Sequence, residues 1–342
     1  MKKLTFLKEG DTISFVAPSF GCAEDPYKTR LEVAIENFKE LGYKLDLGKN
    51  IFLANSVLRS NSARKCAQEF MEAYLSKESK AVISVGGGEM MMEILPFIDF
   101  NKLKKAPPKI FMGFSDNTNL TFPLTTICEV PTIYGPCVPG FALKPYEYDI
   151  LDSLNLLKGQ DRFEGYKYWQ RYGKKTEDPL GVLNITEPKV IKTFPNKDFE
   201  IKGRLLGGCL DILVYLCGTK YDHVKEYIEK YKDDGIIWYL EACDLSPLDL
   251  ERALFSLREA GWFKYCKGFL MGRPLCFRKR VMGITHYRAI KENLKCLNVP
   301  IAMDIDLGHF KPSMPMINGE ICEVKIKDNN IFMYYPELNK NN

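Results

Sequence analysis

Three residues that could share nucleophilic chemistry each lie at the end of a predicted strand. Ser115 follows the apolar run Lys109–Phe114, Glu241 closes another apolar run, and His309 comes just after the predicted strand Pro300–Ile305. A serine hydroxyl needs a base to attack a carbonyl at neutral pH, and histidine is the usual base. Ligands of open α/β sheets bind at the carboxyl ends of strands. The pattern therefore indicates a serine, an acid and a histidine in the chain order Ser115, Glu241, His309.

The stretch MGFSDNTN around Ser115 also permits a structural explanation. Ser115 or Asp116 could cap the helix that begins there, and the local sequence alone favours a cap because caps greatly outnumber nucleophiles. The nucleophile elbow G-x-S-x-G is incomplete, since Asn117 occupies its last position. If Ser115 is the nucleophile, the amide of Asp116 opens a helix and can face a developing oxyanion.

Other residues compete for these roles. The competitors are two acids, two cysteines and two histidines: Asp244, Asp306, Cys128, Cys137, His223 and His286. Neither cysteine follows a strand end, and both histidines lie in stretches typical of a surface. His309 taken alone fits a structural loop histidine equally well.

A glycine run ends the predicted strand Ala81–Val85. Gly86, Gly87 and Gly88 let the backbone approach a ligand closely and offer it amide hydrogens. The run lacks the Lys-Ser/Thr of a P-loop and the spacing of a dinucleotide fingerprint. It is therefore either an ordinary turn or a source of oxyanion donors.

Composition excludes several classes of function. Of the 342 residues, 46% are hydrophobic and 27% are charged, as in ordinary globular proteins. The net charge of +4 is small and the 48 basic residues are scattered, so no nucleic-acid partner is expected. No apolar run reaches the roughly 18 residues of a spanning helix, so no membrane partner is expected either.

Cysteines and histidines argue against disulfides and metals. The 11 cysteines are odd in number and contain no Cys-x-x-Cys pair, and the 3 histidines are far apart. No zinc site is predicted. The first residues, MKKLTFLKEGDTISF, lack a continuous apolar signal core. We therefore expect reduced thiols, a cytoplasmic protein, and no metal or other cofactor.

Strand-like and helix-like stretches alternate in the first part of the chain. Thr12–Ala17, Ala81–Val85 and Lys109–Phe114 fit strands, whereas Leu31–Leu41 and Ala63–Leu75 have helical spacing. The alternation predicts an α/β class, with a parallel sheet and helices on both faces.

The chain is long enough for two domains. An N-terminal α/β domain is predicted over residues 1–140 and an irregular linker with a specificity loop over 141–199. A C-terminal mixed α/β domain with a small β-rich, barrel-like part is predicted over 200–342. Its clearest signals are a helix capped by Ser246 ahead of Pro247, and a hairpin around Asp328–Asn330.

Ordered motifs run across nearly the whole chain: GDTISFVAPS, SVGGGEMMMEILPFIDF, MGFSDNTNLTFPLTTI with IYGP, NITEPK, GRLLGGCLDIL, IWYLE and DLGHFKPSMP. Their sequence and order resemble the LD-carboxypeptidase family (muramoyl-tetrapeptide carboxypeptidases), and within it the branch of microcin-C self-immunity peptidases. Several motifs in a fixed order make this resemblance specific, unlike any one of them.

The resemblance implies the site residues. The family's nucleophile falls on Ser115, its glutamate on Glu241, its histidine on His309, and its glycine pair on Gly87 and Gly88. Ser115 is then predicted to be a nucleophile and not merely a cap. The resemblance also implies an N-terminal α/β domain that carries the serine and a C-terminal domain that carries the other two.

The implied activity is metal-free serine hydrolysis of an amide bond, with the amides of Gly87, Gly88 and Asp116 holding the oxyanion. Family substrates are cell-wall tetrapeptides with LD bonds or microcin-type aminoacyl-nucleotide conjugates. We expect a small peptide or peptidyl-nucleotide partner and a homodimer. Two other hypotheses stay open: an inactive ligand-binding protein of the same fold, and a cysteine-dependent amidotransferase-like hydrolase.

Substrate contacts are less defined. Arg204 and Arg273 could bind a terminal carboxylate, although surface arginines explain them equally well. Trp169, in the aromatic stretch Tyr166–Tyr172, could form an aromatic platform for a nucleotide or could pack against its domain. The sequence departs from the usual family pattern at Gly86, Glu89 and Cys209.

Overall fold

The computed structural model describes residues 1–173, 177–195 and 197–339. The chain divides into two compact units. The N-terminal unit comprises Met1–Gln160 and Tyr172–Asn184, and the C-terminal unit comprises Asp161–Arg171 and the chain from Ile185 onward. These limits differ from the predicted ones at residues 140 and 200.

The N-terminal unit is built on a parallel sheet. Its strands are β1 (Thr12–Val16), β2 (Lys44–Leu47), β3 (Ser79–Ser84), β4 (Ile110–Gly113) and β5 (Thr132–Tyr134). They lie in the order β5-β4-β3-β1-β2, and every neighbouring pair is parallel. Its helices are α1 (Tyr27–Glu40), α2 (Ala63–Leu75), α3 (Phe100–Lys105), α4 (Thr118–Thr126) and α5 (Tyr148–Leu157). The predicted α/β class is confirmed.

Aromatic side chains join helix α1 to this sheet. Phe38 lies on the buried stripe of α1, and its ring meets Phe15 of β1 edge-on at 5.2 Å between centroids. On another side it meets Phe141 at 5.0 Å. Gly42, with φ of +86°, follows the end of α1, as the helical pattern predicts.

The C-terminal unit is built on a mixed sheet. The strands of this unit are β6 (Arg162–Glu164), β7 (Tyr168–Trp169), β8 (Glu187–Pro188), β9 (Lys192–Phe194), β10 (Phe199–Cys209), β11 (Ile236–Glu241), β12 (Cys266–Gly272), β13 (Ile301–Ile305), β14 (Met316–Asn318), β15 (Ile321–Lys327) and β16 (Asn330–Tyr334). Its helices are α6 (Leu210–Leu216), α7 (Val224–Lys230), α8 (Pro247–Glu259) and α9 (His286–Leu294).

Eight of these strands, all within the described residues, form one sheet in the order β6-β16-β15-β10-β11-β12-β13-β9. The central strands β10 to β13 run parallel, and the flanking strands run antiparallel to their neighbours. Strand β11 is buried along its whole length, which explains its unbroken apolar sequence up to Glu241.

Local signals in this unit match the sequence predictions. Ser246 accepts a hydrogen bond from the amide of Asp249 and forms a capping box at the start of α8. Asp328 and Asn329, both with positive φ, connect β15 to β16 in the predicted hairpin.

The segment 141–199, predicted as an irregular linker, is partly regular. It contains helix α5 and the four short strands β6 to β9, and it contributes to both units. These strands have only two or three residues each, too few for an alternating pattern to be visible in the sequence. Residues 174–176 and 196 of this segment lie outside the described residues.

Candidate active site

Ser115 lies at the turn from strand β4 to helix α4 of the N-terminal unit. Its φ is +61°, in the left-handed region that residues other than glycine rarely occupy. Such a conformation costs about 1–3 kcal/mol and persists only where the surroundings impose it. The Ser115 amide donates a hydrogen bond of 2.9 Å to the Tyr134 hydroxyl, and the side chain remains half-buried. The turn therefore holds the hydroxyl at the carboxyl end of the sheet.

The side chain of Asn117 holds this turn from inside. Its Nδ2 donates to the carbonyls of Gly86 at 2.9 Å and Phe114 at 3.0 Å. A Cβ at Gly113 would lie 2.6 Å from Asn117 Cγ, so the last residue of β4 must be glycine for this side chain to fit. Asn117 thus links the serine turn to the glycine run after β3.

Asp116 is anchored by its side chain. Its carboxylate accepts hydrogen bonds from Ser19 Oγ at 2.5 Å, the Met91 amide at 3.0 Å and Asn119 Nδ2 at 2.9 Å. Burial raises the pKa of Asp116, although these three donors oppose the rise. Because the carboxylate is occupied within the unit, Asp116 can serve the reaction only through its backbone amide.

The glycine run lies beside Ser115. A Cβ at Gly87 would be 3.4 Å from Ser115 Cβ and 3.6 Å from its Oγ. Gly88 has φ of +150°, and a Cβ there would lie 2.2 Å from Ser19 Oγ. The structure therefore brings the predicted serine and the predicted glycine pair together. At Gly86 a Cβ would lie 2.9 Å from the Phe20 carbonyl, which leaves little room for a larger residue.

Glu241 and His309 form a pair in the C-terminal unit. His309 Nδ1 lies 2.9 Å from Glu241 Oε2, the carboxylate is fully buried, and the imidazole is 16% exposed. Two glycines make room for the carboxylate. A Cβ at Gly272 would lie 2.9 Å from Glu241 Cβ, and one at Gly308 would lie 2.7 Å from Glu241 Oε2.

The environment of His309 favours its charged form. Burial alone would lower its pKa, but the Glu241 carboxylate and a hydrogen bond with the Cys243 thiol outweigh burial and raise the pKa. The imidazole is therefore a stronger base than a free histidine side chain, and its imidazolium form is stabilised. Nδ1 faces Glu241, so Nε2 is the ring nitrogen on the side away from this carboxylate.

Sequence reasoning missed the residue that fixes the loop after Glu241. The Asp211 carboxylate accepts hydrogen bonds from the amides of Cys243 at 2.9 Å, Asp244 at 2.8 Å and Leu245 at 3.2 Å. Cys209, one of the departures from the family pattern, is buried and lies 3.3 Å from the same carboxylate. The signal was an acid in the first turn after a glycine pair, which local sequence does not distinguish from an ordinary helix start.

The two candidate arginines are buried and form hydrogen bonds within their own unit. Arg204 is buried, donates to Asp234 Oδ2 through Nε at 3.0 Å, and lies over the Tyr231 ring at 4.3 Å. Arg273 is 2% exposed and donates to the Asp304 carbonyl at 2.8 Å. A buried guanidinium must be paired, and these partners occupy both side chains. The prediction that Arg204 binds a substrate carboxylate is corrected accordingly.

Trp169 packs against the body of its unit. It is 3% exposed, lies in strand β7 and not in a loop, and donates from Nε1 to the Pro188 carbonyl at 3.3 Å. Phe277 and Phe310 meet its ring edge-on at 5.2 and 5.0 Å, and Arg273 lies over it at 4.2 Å. These contacts favour the packing alternative over an exposed platform.

Four of the competing residues are buried within their own units. Asp306 is buried and paired with Arg273 at 3.4 Å and Lys189 at 4.0 Å. His286, expected at the surface, is fully buried beside Asp304. Cys128 and Cys137 are buried.

Two features are absent from the part of the chain that the structure describes. No group of three or more His, Cys, Asp or Glu side chains there could hold a metal ion. No helix there is both long enough and apolar enough to cross a membrane.

Comparison with protein families assigns the chain to a class. The model of the LD-carboxypeptidase N-terminal domain matches residues 13–135, and that of the LD-carboxypeptidase C-terminal domain matches residues 202–324. The two models together cover more than half of the chain. The chain belongs to the LD-carboxypeptidase family, as the motifs predicted.

Similar proteins fall into two groups by name. The microcin C7 self-immunity protein MccF of Escherichia coli is 26% identical over 336 residues, covering 95% of this chain and 93% of the relative. A Bacillus subtilis protein named "Putative carboxypeptidase YocD" is 28% identical over 330 residues, covering 93% and 94%. The solved structure of MccF with aspartyl sulfamoyl adenosine has a TM-score of 0.82 at 22% identity and covers 98% of both chains. That structural likeness establishes the fold.

Proposed function

We propose that this protein is a serine peptidase that cleaves an amide bond, with Ser115, His309 and Glu241 acting as one catalytic unit. The observation that carries the proposal is the left-handed conformation of Ser115 at the strand-to-helix turn beside Gly87. Backbone strain of this kind clusters at active sites, and a helix cap does not need it. The paired His309 and Glu241 supply the base and the group that orients it.

In the proposed reaction Ser115 Oγ attacks the carbonyl carbon of the substrate amide while His309 Nε2 takes the hydroxyl proton. Glu241 accepts the Nδ1 hydrogen bond and stabilises the imidazolium. The tetrahedral intermediate collapses, the C–N bond breaks, and His309 returns the proton to the leaving amine. Water then attacks the acyl-enzyme with His309 again as the base, which releases the acid and regenerates Ser115.

We propose that the amides of Gly87, Gly88 and Asp116 stabilise the oxyanion. Support comes from the position of Gly87 beside the Ser115 hydroxyl and from the turn of helical backbone that starts at Ser115. Backbone donors held in place before the reaction need no reorganisation when the negative charge develops. The fixed side chains of Asp116 and Asn117 supply that rigidity.

We propose two candidate substrate classes, both of which contain an amide bond. One is a peptide with an LD bond, as the family description implies. The other is an aminoacyl-nucleotide conjugate, since solved structures of MccF hold aspartyl sulfamoyl adenosine and glutamyl sulfamoyl guanosine. Neither class requires a metal or cofactor in the mechanism above.

Release of free amino acid from each substrate class tests this function. An LD-linked tetrapeptide and aspartyl sulfamoyl adenosine should be incubated with the wild type, Ser115→Ala and Cys137→Ser. Hydrolysis of one substrate by the wild type and Cys137→Ser, but not by Ser115→Ala, is expected. Unchanged hydrolysis by Ser115→Ala would reject the serine mechanism. Loss of hydrolysis in Cys137→Ser with retention in Ser115→Ala would support the cysteine alternative instead.

Binding without turnover would identify the inactive alternative. Isothermal titration of wild type with aspartyl sulfamoyl adenosine, followed by recovery of the intact compound, would show a ligand-binding protein. We also propose a homodimer and a cytoplasmic location, and the second is supported by the eleven cysteines, none of which is in a disulfide in the part of the chain that the structure describes. Light scattering and cell fractionation test them.

A further inference from the structure

Strand β13, which leads to His309, carries an extra residue. Met303 pairs with Met271 of β12, but the next pair joins Ile305 to Gly272, so Asp304 is left out of the register. Asp304 has φ of +62°, in the left-handed region. These features define a β-bulge, which bends a strand and redirects the side chains that follow.

The Asp304 side chain is held by the start of helix α9. The Tyr287 hydroxyl donates a hydrogen bond to Asp304 Oδ2, and His286 Nε2 lies 3.3 Å from Oδ1. His286 and Asp304 are almost fully buried. Lys192 of the neighbouring strand β9 lies 3.6 Å from the centre of the Tyr287 ring. The mechanism proposed above uses none of these groups.

The backbone around the bulge is fixed as well. Arg273, just after β12, donates to the Asp304 carbonyl at 2.8 Å and lies 3.4 Å from Asp306 Oδ1. The Tyr166 amide donates to the other Asp306 oxygen at 3.0 Å. The Met314 amide donates to the Asp306 carbonyl and closes the loop that contains His309.

The bulge determines how this loop passes Glu241. Ile305 and not Asp304 pairs with Gly272, so the residues after Ile305 pass close to this glycine. A Cβ at Gly272 would lie 2.4 Å from the Leu307 carbonyl. The same Cβ would lie 2.9 Å from Glu241 Cβ. A one-residue change of register reverses the faces of all later side chains in a strand. The path of residues 305–308 therefore depends on Asp304 staying outside the ladder.

We propose that Asp304, held by His286 and Tyr287, is a positioning residue that places the His309 imidazole for proton transfer. The cluster acts through the bulge and the loop after it, and it does not touch the reacting atoms. The inference rests on the proposed function of His309 as the base. A cluster that only stabilised the unit would affect folding without changing the state of His309.

The test uses two measurements on each variant. One is the rate at which a fluorophosphonate probe labels the protein, since this reaction needs an activated serine but no knowledge of the substrate. The other is the NMR signal of the His309 ring in protein labelled with ¹⁵N-histidine, which is tractable because the chain has only 3 histidines. Ring signals are assigned from His309→Ala and His223→Ala.

Tyr287→Phe removes the hydroxyl and keeps the ring, and Asp304→Gly keeps the left-handed backbone and removes the carboxylate. Both should slow labelling about tenfold, because small misplacements of a catalytic group are costly, and both should shift the His309 signals. Asp304→Asn keeps one acceptor oxygen and tolerates positive φ. Its labelling rate should lie between those of the other two variants and that of the wild type. The matched control is Tyr265→Phe, which removes a hydroxyl bonded to Glu229 at 2.6 Å elsewhere in the unit and should change neither readout.

Wild-type labelling rates and unchanged His309 signals in folded Tyr287→Phe and Asp304→Gly would overturn the proposal, even if both variants melt at lower temperature. Circular dichroism establishes folding, and Tyr287→Phe is the milder change if Asp304→Gly does not fold. A different result would reject the proposed function of His309 as the base: in that case His309→Ala would be labelled as fast as the wild type. In that case the NMR comparison alone still decides whether the cluster places the ring.

Discussion

Replacing Ser115 by glycine should stabilise the protein relative to replacing it by alanine. Both variants lack the nucleophile and should be inactive. Alanine keeps the cost of the left-handed conformation at φ of +61°, about 1–2 kcal/mol, whereas glycine removes it. The glycine variant in turn loses about 0.4–1 kcal/mol of stability, because glycine gives the unfolded chain more conformational freedom. The net advantage of Ser115→Gly over Ser115→Ala is then about 1 kcal/mol, or about 1–2 °C in Tm for a chain of 342 residues.

Urea unfolding and thermal melts of the two variants measure this difference. Ser153 provides the matched control, because it is a buried serine within helix α5 of the same unit and bonds to the Asp149 carbonyl at 2.7 Å. There Ser153→Gly should be less stable than Ser153→Ala by about 0.5–1 kcal/mol, the usual penalty of glycine in a helix. If Ser115→Gly is no more stable than Ser115→Ala, the turn is not strained, and the main support for an imposed serine conformation is lost.

Three further predictions concern the base, the metal and the tryptophan. Glu241→Gln removes the charge that raises the pKa of His309, so the acid limb of activity should move to lower pH by about one unit or more while kcat falls. The pKa of His309 is raised in the folded state to about 11, so the stability from this pair is fully present below the ordinary pKa of 6.5 and is lost as pH rises towards the folded pKa. The difference in unfolding free energy between wild type and Glu241→Gln, measured by urea titration, should therefore shrink between about pH 6.5 and 11. A constant difference over this range would contradict the pairing. Activity should survive incubation with EDTA, whereas loss that zinc restores would reject the serine mechanism. Trp169→Ala should lower the free energy of unfolding by about 3–5 kcal/mol. It should change the hydrolysis of the peptide and of the aminoacyl-nucleoside to the same extent. A loss of activity confined to the aminoacyl-nucleoside would instead support the aromatic platform.

Elements with local signals could be predicted from the sequence. The run Ile236–Leu240 is apolar because its strand is buried on both faces, and the acid that follows marks its end. Ser246 and Pro247 specify the start of α8 through bonds within one turn of helix. Asp328 and Asn329 tolerate the positive φ that their tight turn requires. In each case the physical cause lies within a few residues.

Tertiary contacts explain what the sequence did not show. Trp169 sits in a stretch rich in tyrosine and lysine, which looks like a loop, but Phe277 and Phe310 from distant parts of the chain cover its ring. Arg204 looks like a surface residue until Asp234 and Tyr231 are brought to it. No local sequence pattern predicts these tertiary contacts.

The candidate site shows both situations. The strand ends that carry Ser115 and Glu241 follow from apolar runs, and their catalytic roles are predictions from the family motifs. The strained residue of the turn is Ser115 itself, and serine is not a residue type that local sequence rules associate with positive φ. The distance of 2.9 Å between His309 and Glu241 depends on the bulge at Asp304, which strand periodicity does not reveal.

Covalent labelling mapped by peptide mass spectrometry tests most directly whether Ser115 is the nucleophile. Wild-type protein treated with a fluorophosphonate should carry a single adduct on Ser115. The adduct should be absent from Ser115→Ala and should form at least about a hundredfold more slowly in His309→Ala, since residues that act as a unit fail together. An adduct on another residue of the wild type, or undiminished labelling of Ser115→Ala, would contradict the proposed mechanism.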